Sequence, residues 1–256
     1  MASTPRLRMF AGPNGSGKST LNEVLAPELL GVYLNPDQIE AAIRARGFLD
    51  VRAYEVAVDD QVDSLLMSFL GESTLLRDAS LSGDVAKLSA SGGLIDFSHV
   101  EINSYHASVV ADFLRHRLLK QKTSFTLETV MSSPTKVDLL ARAQHLGYRT
   151  YLYFVATADP TINISRVENR VRKGGHGVPK DKIVSRYHRS IGLLKQAISH
   201  TSRAYIFDNS SHDKAHVWLA EITDGRTIEI KASEIPEWFS AAVLRDATLA
   251  SPGERL

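Results

Sequence analysis

The stretch AGPNGSGKST at residues 11–20 constrains the fold of this chain more than any other feature. The short apolar run RLRMFAG at residues 6–12 leads into this stretch and predicts a strand, and a helix is expected to begin near Lys18. Residues Gly12 to Ser19 fit the pattern GxxxxGK(S/T), in which backbone N–H groups and a lysine surround phosphate groups. A strand, this loop and a helix in that order predict a site for a nucleoside triphosphate.

Individual residues of the loop have separate expected roles. We expect Lys18 to contact the β- and γ-phosphates of the nucleoside triphosphate and the hydroxyl of Ser19 to bind Mg²⁺. Glycines let successive N–H groups turn toward phosphate oxygens, and the N-terminus of the following helix adds partial positive charge. The other predicted cofactor-binding residues of the loop are Gly12, Pro13, Asn14, Gly15, Ser16, Gly17 and Thr20.

Strand and helix patterns alternate along the rest of the chain. This alternation predicts an α/β fold with a mostly parallel sheet flanked by helices, and the loop at 12–19 marks it as a P-loop NTPase fold. Further strands are predicted at 31–37, 124–130, 148–157 and 203–210, and a hairpin is predicted at 216–231 around Asp224-Gly225. Helices are predicted from Asn35 to Gly47, over 51–69, 104–122 and 134–147, and as two basic helices within 160–200.

The expected domain organisation is one P-loop kinase-like domain over residues 1–256. A helical insertion is expected over about 50–122, a helical lid over about 160–200, and a C-terminal hairpin with a short helix over about 213–256. Within the insertion, residues 71–103 are rich in Ser and Gly and show no sustained period. We therefore expect that stretch to be a surface insertion or a mobile segment.

Composition excludes several classes of function. The chain has no cysteine, so disulfides and thiolate metal sites are excluded. Its net charge of +1 gives no bulk attraction to nucleic acid or acidic membranes, so any electrostatic function must be local. No apolar stretch reaches the roughly 18 residues that a membrane span requires. These features predict a cytoplasmic protein that binds no membrane.

The use made of the γ-phosphate depends on other motifs. TKVD at 135–138 matches a guanine-recognition pattern, but it begins a helix and no DxxG occurs in the chain, which argues against a GTPase. LSASGG at 88–93 does not supply the signature of an ABC-type ATPase. A kinase requires a base for the acceptor hydroxyl and cations for the charge of the transferred group.

Asp37 is the candidate base. It lies just past the carboxyl end of a predicted strand, where ligands of open α/β sheets bind. The alternative, given equal weight, is that Asp37 only stabilises the N-terminus of a helix. Glu128 and Thr129 end another strand at the same expected edge and are candidate substrate-binding residues, with a half-exposed strand pair as the alternative.

A strongly basic stretch covers residues 165–190, with eight Arg or Lys against two acids. Arg166 and Arg170 share one helix face, Arg186 and Arg189 share another, and GGHGVP at 174–179 separates the two helices as a flexible break. Two arginine pairs on a hinged hairpin are typical of a phosphotransferase lid, in which guanidinium groups neutralise transition-state charge and exclude water. The alternatives are a solvated basic face or a nucleic-acid patch, and we do not expect nucleic acid because aromatic residues are few there.

Seven motifs, in this order, resemble the zeta-toxin-like P-loop kinases, in particular the branch often described as predicted ABC-type ATPases. The resemblance covers about residues 6–211 apart from 71–103. The motifs that carry it are AGPNGSGKST, NPDQI, FTLETVMS, GYRTYLYFVAT, RVENRVRKGGHGVP, RYHRS and FDNS.

That resemblance implies a kinase core with a helical lid, and it implies roles for single residues. Lys18 and Ser19 would bind ATP and Mg²⁺, and Asp37 would activate the acceptor hydroxyl. Glu128 and Thr129 would face the acceptor, while Arg170 and Arg186 or Arg189 would touch the phosphates. Asn209 in FDNS would be the residue nearest the adenine.

Well-known members of the family are toxins that phosphorylate the 3′-hydroxyl of UDP-N-acetylglucosamine and are neutralised by a small antitoxin. Their acceptor strand reads Glu-Gly-Thr where this chain has Glu128-Thr129-Val130. The leading hypothesis is therefore an ATP-dependent kinase acting on a small-molecule hydroxyl. A nucleotide-gated ATPase that grips a macromolecular partner and a polynucleotide kinase are the alternatives.

Overall fold

The computed structural model describes residues 4–23, 25–175, 177–211 and 216–245. Parts of two predictions, His176 of the sequence GGHGVP and residues 213–215 and 246–256 of the C-terminal segment, lie outside these residues.

Ten strands and eleven α-helices occur in the described residues. The strands are β1 Arg6–Ala11, β2 Val32–Leu34, β3 Phe48–Asp50, β4 Ser89–Ser91, β5 Leu94–Asp96, β6 Phe125–Thr129, β7 Arg149–Ala156, β8 Arg203–Asp208, β9 Val217–Thr223 and β10 Thr227–Ile230. The helices are α1 Pro27–Leu30, α2 Pro36–Arg46, α3 Val62–Gly71, α4 Thr74–Asp78, α5 Ser82–Val85, α6 Ser104–Gln121, α7 Pro134–His145, α8 Pro160–Arg172, α9 Lys180–Gly192, α10 Leu194–Ser199 and α11 Glu237–Phe239. Two 3-10 helices cover Lys18–Glu23 and Val51–Tyr54, and a π-helix covers Ser240–Leu244.

Contacts group the chain into two compact units. The first unit is Met1–Leu7 with Ala26–Glu128, and the second is Arg8–Leu25 with Thr129–Leu256. In the second unit the strands lie in the order β10-β9-β8-β7-β1, with β7 and β8 parallel and with β9 antiparallel to both β8 and β10. In the first unit β2 and β6 pair in parallel. The predicted α/β class, a mostly parallel sheet flanked by helices, is confirmed.

Local sequence signals explain where helix α2, which carries the candidate base Asp37, begins and ends. Asn35 caps α2, because its Oδ1 accepts hydrogen bonds from the backbone N–H groups of Asp37 and Gln38. Pro36 occupies the first helical turn, and Gly47 ends the helix at φ 77°, as the sequence predicted. Asp37 therefore lies in the first turn of α2, directly after β2.

The single helix predicted for residues 51–69 is wrong. A 3-10 helix covers Val51–Tyr54, and α3 begins only at Val62. The side chain of Asp50 caps the 3-10 helix, and Glu55 ends it in the left-handed region at φ 55°. Apolar residues at helical spacing were thus divided between two short elements by local capping, which the periodicity alone does not reveal.

The stretch 71–103 was expected to be irregular. It instead contains the four regular elements α4, α5, β4 and β5. Strand β5 pairs with β3 on one side and β4 on the other to form a small antiparallel sheet. The Asp63 carboxylate accepts hydrogen bonds from the N–H groups of Gly92 at 2.7 Å and Gly93 at 2.9 Å, which fixes the β4–β5 turn. Tertiary contacts of this kind order a segment whose elements are too short to show a period.

The second unit follows the sequence prediction closely, with one helix more. Residues 160–200 form α8, α9 and α10 rather than two helices. In the β9–β10 hairpin, Asp224 and Gly225 have φ angles of 50° and 65°, as a type I′ turn requires. Among the described residues, none of the helices is long and apolar enough to cross a membrane.

Candidate nucleotide-binding site

The loop after β1 has the backbone that its glycines predict. Gly12, Gly15 and Gly17 have φ angles of 144°, 75° and 97°, which other residues rarely adopt. A Cβ atom at Gly12 would lie 2.0 Å from the carbonyl oxygen of Val155, and one at Gly17 would lie 2.3 Å from Nδ2 of Asn209. The backbone thus approaches its neighbours so closely that only glycine fits.

The polar groups inside the loop fit phosphate oxygens. The side chain of Lys18 is buried and its Nζ donates to the carbonyl oxygen of Pro13 at 3.0 Å, which keeps the ammonium group at the loop. The hydroxyl of Ser16 is buried and has no hydrogen-bond partner among the described residues. A buried cation and a buried hydroxyl at a glycine-rich turn suit a ligand that is anionic and accepts hydrogen bonds.

Ser19, the residue expected to bind the metal, is exposed. Ser19 and Thr20 both lie on the surface, and the Thr20 hydroxyl donates to the carbonyl oxygen of Gly17 at 2.7 Å. In the part of the chain that the structure describes, no three His, Asp or Glu side chains are grouped so that they could hold a metal ion. Beside nucleotides, Mg²⁺ usually keeps several water ligands and is held by one or two protein oxygens together with phosphate oxygens.

Two asparagine side chains donate hydrogen bonds to carbonyl oxygens of the loop. Nδ2 of Asn163, on α8, donates to the carbonyl oxygen of Asn14 at 2.6 Å, and Nδ2 of Asn209, after β8, donates to that of Ser16 at 2.8 Å. The Thr157 hydroxyl in turn donates to Oδ1 of Asn163. Asn209 was predicted near the adenine, and the described contact of its amide is with the loop.

The arginines of α8 differ in their surroundings. Arg166 donates to the carbonyl oxygens of Asn209 at 2.7 Å and Ser211 at 3.1 Å, so it fixes the chain after β8. Burial lowers the pKa of Arg166 below its usual value, and Asp208 acts in the opposite direction. Arg170 is exposed and lines a cleft of about 390 Å³ with basic walls. The lining residues are Arg166, Asn169, Arg170, Lys173 and Gly175.

Two side chains of helix α9 hydrogen-bond to backbone carbonyls of other segments. The Tyr187 hydroxyl donates to the carbonyl oxygen of Thr157 at 2.7 Å, and the Ser190 hydroxyl donates to that of Val130 at 2.8 Å. Ile183 is 1% exposed, and burial raises the pKa of Tyr187 to about 12. Both hydrogen bonds connect α9 to other segments of the second unit.

The two candidate arginines of α9 are not equivalent. Nη1 of Arg186 donates to Oδ1 of Asn14 at 3.5 Å, so the structure brings this guanidinium to the loop. Arg189 is exposed, and its described hydrogen bond is to the carbonyl oxygen of Ser185, one turn earlier in the same helix. Of the arginine pairs on α8 and α9, Arg186 is therefore the member in contact with the loop.

The remaining predicted residues lie at the ends of β2 and β6. The Oε2 atom of Glu128 accepts hydrogen bonds from the Tyr33 hydroxyl at 2.9 Å and from Nδ2 of Asn35 at 3.0 Å. Asn35 thus holds Glu128 with its amide nitrogen and caps the helix of Asp37 with its amide oxygen. Asp37 is exposed, as the base for an external hydroxyl would need to be.

Thr129 has a local role in the second unit. Its Oγ1 accepts a hydrogen bond from the N–H of Met131 at 3.1 Å, and Met131 has a positive φ of 53°. The hydroxyl thereby supports the turn after β6.

Sequence reasoning missed three polar residues at this site, Asn163, Thr157 and His216. Nε2 of His216 lies 3.1 Å from the Thr20 hydroxyl. One signal was available for Asn163, because it stands four residues before the buried Val167 and so lies on the apolar face of α8. A polar side chain on such a face requires a partner, and here the partner is the loop.

The Gly17→Ala variant should bind ATP at least tenfold more weakly than the wild-type chain. The added Cβ would meet Asn209 Nδ2 at 2.3 Å in a backbone conformation that alanine disfavours, so either the loop or the Asn209 amide that bonds to it must shift. Gly147→Ala is the matched control, because Gly147 also has a positive φ, 87°, but nothing lies within 4 Å of its Cβ position. Equilibrium titration with Mg·ATP measures both, and equal affinities for the two variants would show that close approach at Gly17 is irrelevant.

Comparison with protein families identifies one match. The family model described as Zeta toxin matches residues 98–218, a segment that includes β6, α8, α9 and β8 and excludes the loop at 12–19. An uncharacterized protein of Haemophilus influenzae is 28% identical over 74 residues, which is 29% of this chain and 53% of that protein.

Solved structures share the fold over most of the chain. The crystal structure of AvrRxo1-ORF1:-ORF2 with ATP matches at a TM-score of 0.55 and 14% identity, over 90% of this chain and 61% of that one. The native AvrRxo1-ORF1:-ORF2 complex matches at a TM-score of 0.54 and 15% identity, over 96% of this chain and 66% of that one. This chain therefore spans about three fifths to two thirds of the length of the solved chains and about half of the curated relative.

Proposed function

We propose that this zeta-toxin-like P-loop kinase transfers the γ-phosphate of ATP to a hydroxyl group of a small molecule. The observation that carries the proposal is the loop of residues 12–19, whose close-fitting glycines, buried Lys18 and buried Ser16 hydroxyl fit a triphosphate. The family match and the fold shared with an ATP-bound complex support the same chemistry.

The loop and its neighbours would hold ATP. Lys18 would contact the terminal phosphates, Ser19 would bind Mg²⁺, and Asn209 would contribute to nucleotide binding through the Ser16 carbonyl. Bound Mg²⁺ would offset phosphate charge. Arg186 is the arginine best supported as a catalytic group, because it contacts Asn14. Arg170 and Arg189 would add positive charge from exposed positions.

Asp37 is proposed as the base that accepts the proton of the acceptor hydroxyl. Its place directly after β2 and its exposure support this role, since an exposed carboxylate is accessible to an external hydroxyl. Glu128 and Thr129 are the proposed acceptor-binding residues. The carboxylate of Glu128 is held by two donors and so presents a fixed acceptor for a substrate hydroxyl.

The acceptor is proposed to be a nucleotide sugar such as UDP-N-acetylglucosamine, as the family resemblance implies. A neutralising antitoxin is the proposed protein partner, and the two-component AvrRxo1-ORF1:-ORF2 complex supports the idea of a partner for this fold. The sequence Glu128-Thr129-Val130 makes the acceptor pocket differ from the Glu-Gly-Thr strand of the well-known toxins. The acceptor preference is therefore tested by offering the nucleotide sugar and other hydroxyl compounds.

Incubation with γ-labelled ATP, first with UDP-N-acetylglucosamine and then with a cell metabolite extract, tests the proposal. We expect label in a soluble organic compound that survives removal of protein. Label in the nucleotide sugar would identify it as the acceptor. Label in another metabolite would support the kinase activity and show that the acceptor is that metabolite instead. Label found solely as inorganic phosphate would contradict kinase activity and favour a nucleotide-gated ATPase.

The salt dependence of oligonucleotide binding distinguishes a small-molecule kinase from a kinase that acts on polynucleotide ends. Binding to nucleic acid through several phosphates falls steeply between 50 and 200 mM salt, by roughly 10³-fold or more for six contacts. We expect no such binding, and a steep salt dependence for a labelled oligonucleotide would favour the polynucleotide kinase instead.

A further inference from the structure

The carbonyl groups of two loop residues are each held by an asparagine amide. Asn163 donates to the carbonyl oxygen of Asn14 at 2.6 Å, and Asn209 donates to that of Ser16 at 2.8 Å. Asn163 is fully buried, so its hydrogen bond is shielded from competition with water. The two bonds therefore act on alternate peptide groups of the same loop.

The direction of a carbonyl fixes the direction of the next N–H. A trans peptide group is planar, and its C=O and N–H point to opposite sides. Drawing the Asn14 carbonyl toward Asn163 turns the N–H of Gly15 away from Asn163. By the same geometry, the contact of Ser16 with Asn209 turns the N–H of Gly17 away from Asn209. These glycine N–H groups are among those that a phosphate-binding loop must direct at its ligand.

The orientation of the Asn163 amide is fixed by the Asn14 carbonyl oxygen, which can only accept a hydrogen bond and therefore faces Nδ2. Oδ1 then faces the Thr157 hydroxyl and accepts its hydrogen bond. Thr157 is itself fully buried, and its carbonyl oxygen accepts the Tyr187 hydroxyl at 2.7 Å. Two buried side chains thus set the donor in place.

Asn209 is fixed in a similar way through its backbone. Its N–H donates to the carbonyl oxygen of Ala156 at 2.8 Å, and its carbonyl oxygen accepts Nη1 of Arg166 at 2.7 Å. Asn163 and Asn209 are therefore both held by hydrogen-bond partners outside the loop.

We propose that Asn163 and Asn209 are positioning residues that hold residues 14–17 in the phosphate-binding conformation before ATP arrives. Glycine residues give this loop many accessible backbone conformations. Without the hydrogen bonds from the two asparagine amides, binding of the nucleotide would have to order the loop, and the entropy lost would lower the affinity. The inference rests on the proposed function, because it assumes that ATP is the ligand of the loop. It assigns both asparagines to the support of the loop backbone, through the carbonyls of Asn14 and Ser16.

The Asn163→Leu and Asn209→Leu variants test the inference, since leucine has a similar size and no donor. Each should weaken Mg·ATP binding about 3- to 10-fold, the loss expected for one hydrogen bond. Gln196→Leu is the control, because Gln196 is an exposed amide of α10 in the same unit and lies outside the loop and its network. That variant should bind ATP within twofold of the wild-type chain.

Titration with Mg·ATP is paired with urea unfolding of the nucleotide-free variants. A purely structural role would lower the free energy of unfolding and leave the affinity of the folded protein unchanged, and this result in both variants would overturn the inference. Asn209 is only partly buried, so its variant remains informative if Asn163→Leu fails to fold. If the wild-type chain bound no ATP, the proposed function would fail and this inference with it.

Discussion

The Lys18→Met variant should lose phosphoryl transfer by about 10²–10³-fold, the loss expected when one group that stabilises transition-state charge is removed. Lys18 is buried at the loop, and its Nζ bonds to a loop carbonyl, so the ammonium is already positioned where terminal phosphates are expected. Methionine preserves the length and the apolar stem of the side chain but removes the charge. Initial rates of label transfer from γ-labelled ATP measure the effect.

Lys182→Met is the matched control for this experiment. Lys182 is an exposed lysine of α9 for which no role in binding or catalysis is proposed. Its replacement also removes one positive charge from the second unit, so it reports the effect of net charge alone, and we expect rates within twofold of wild type. Transfer by Lys18→Met at the rate of the control would show that the loop does not act on the phosphates.

The Asp37→Asn variant should lose turnover by about 10²–10⁴-fold while retaining ATP binding. Asparagine has the same shape as aspartate but cannot accept the proton of an acceptor hydroxyl. The backbone N–H of Asp37 bonds to Asn35, so the capped turn of α2 should survive the exchange. Rates at saturating ATP and acceptor, together with the dissociation constant of Mg·ATP, separate the two effects.

Loss of an acidic residue from a helix N-terminus has a small effect of its own, about 0.3–1 kcal/mol on stability. Asp181→Asn controls for it, because Asp181 is an exposed acid in the first turn of α9 and has no proposed catalytic role. Normal turnover in both variants would assign Asp37 to helix stabilisation. Slow turnover in Asp37→Asn alone would support the base.

Features set by neighbouring residues were predictable from the sequence. The loop at 12–19 is recognisable because positive φ angles require glycine at fixed spacing. The start of α2 at Asn35-Pro36 and the turn at Asp224-Gly225 likewise follow from single residues with strong local preferences. These signals placed the strands and helices that support the site.

Features set by contacts distant in sequence were not predictable. The order in 71–103 depends on Asp63 holding a turn about thirty residues away, and no local pattern carries that information. The support of the loop by Asn163 and Asn209 joins residues separated by 149 and 193 positions. Arg166 was predicted from its spacing as one member of an arginine pair of the lid, and its described hydrogen bonds are to the backbone carbonyls of Asn209 and Ser211.

The ratio of phosphorylated small molecule to ADP formed tests the central claim most directly. With γ-labelled ATP and a metabolite extract at limiting enzyme, a kinase produces one labelled acceptor for each ADP. We predict a ratio close to one for the wild-type chain and ADP formation about 10²–10³-fold slower for Lys18→Met. ADP accompanied only by free phosphate, at any acceptor concentration, would contradict the account.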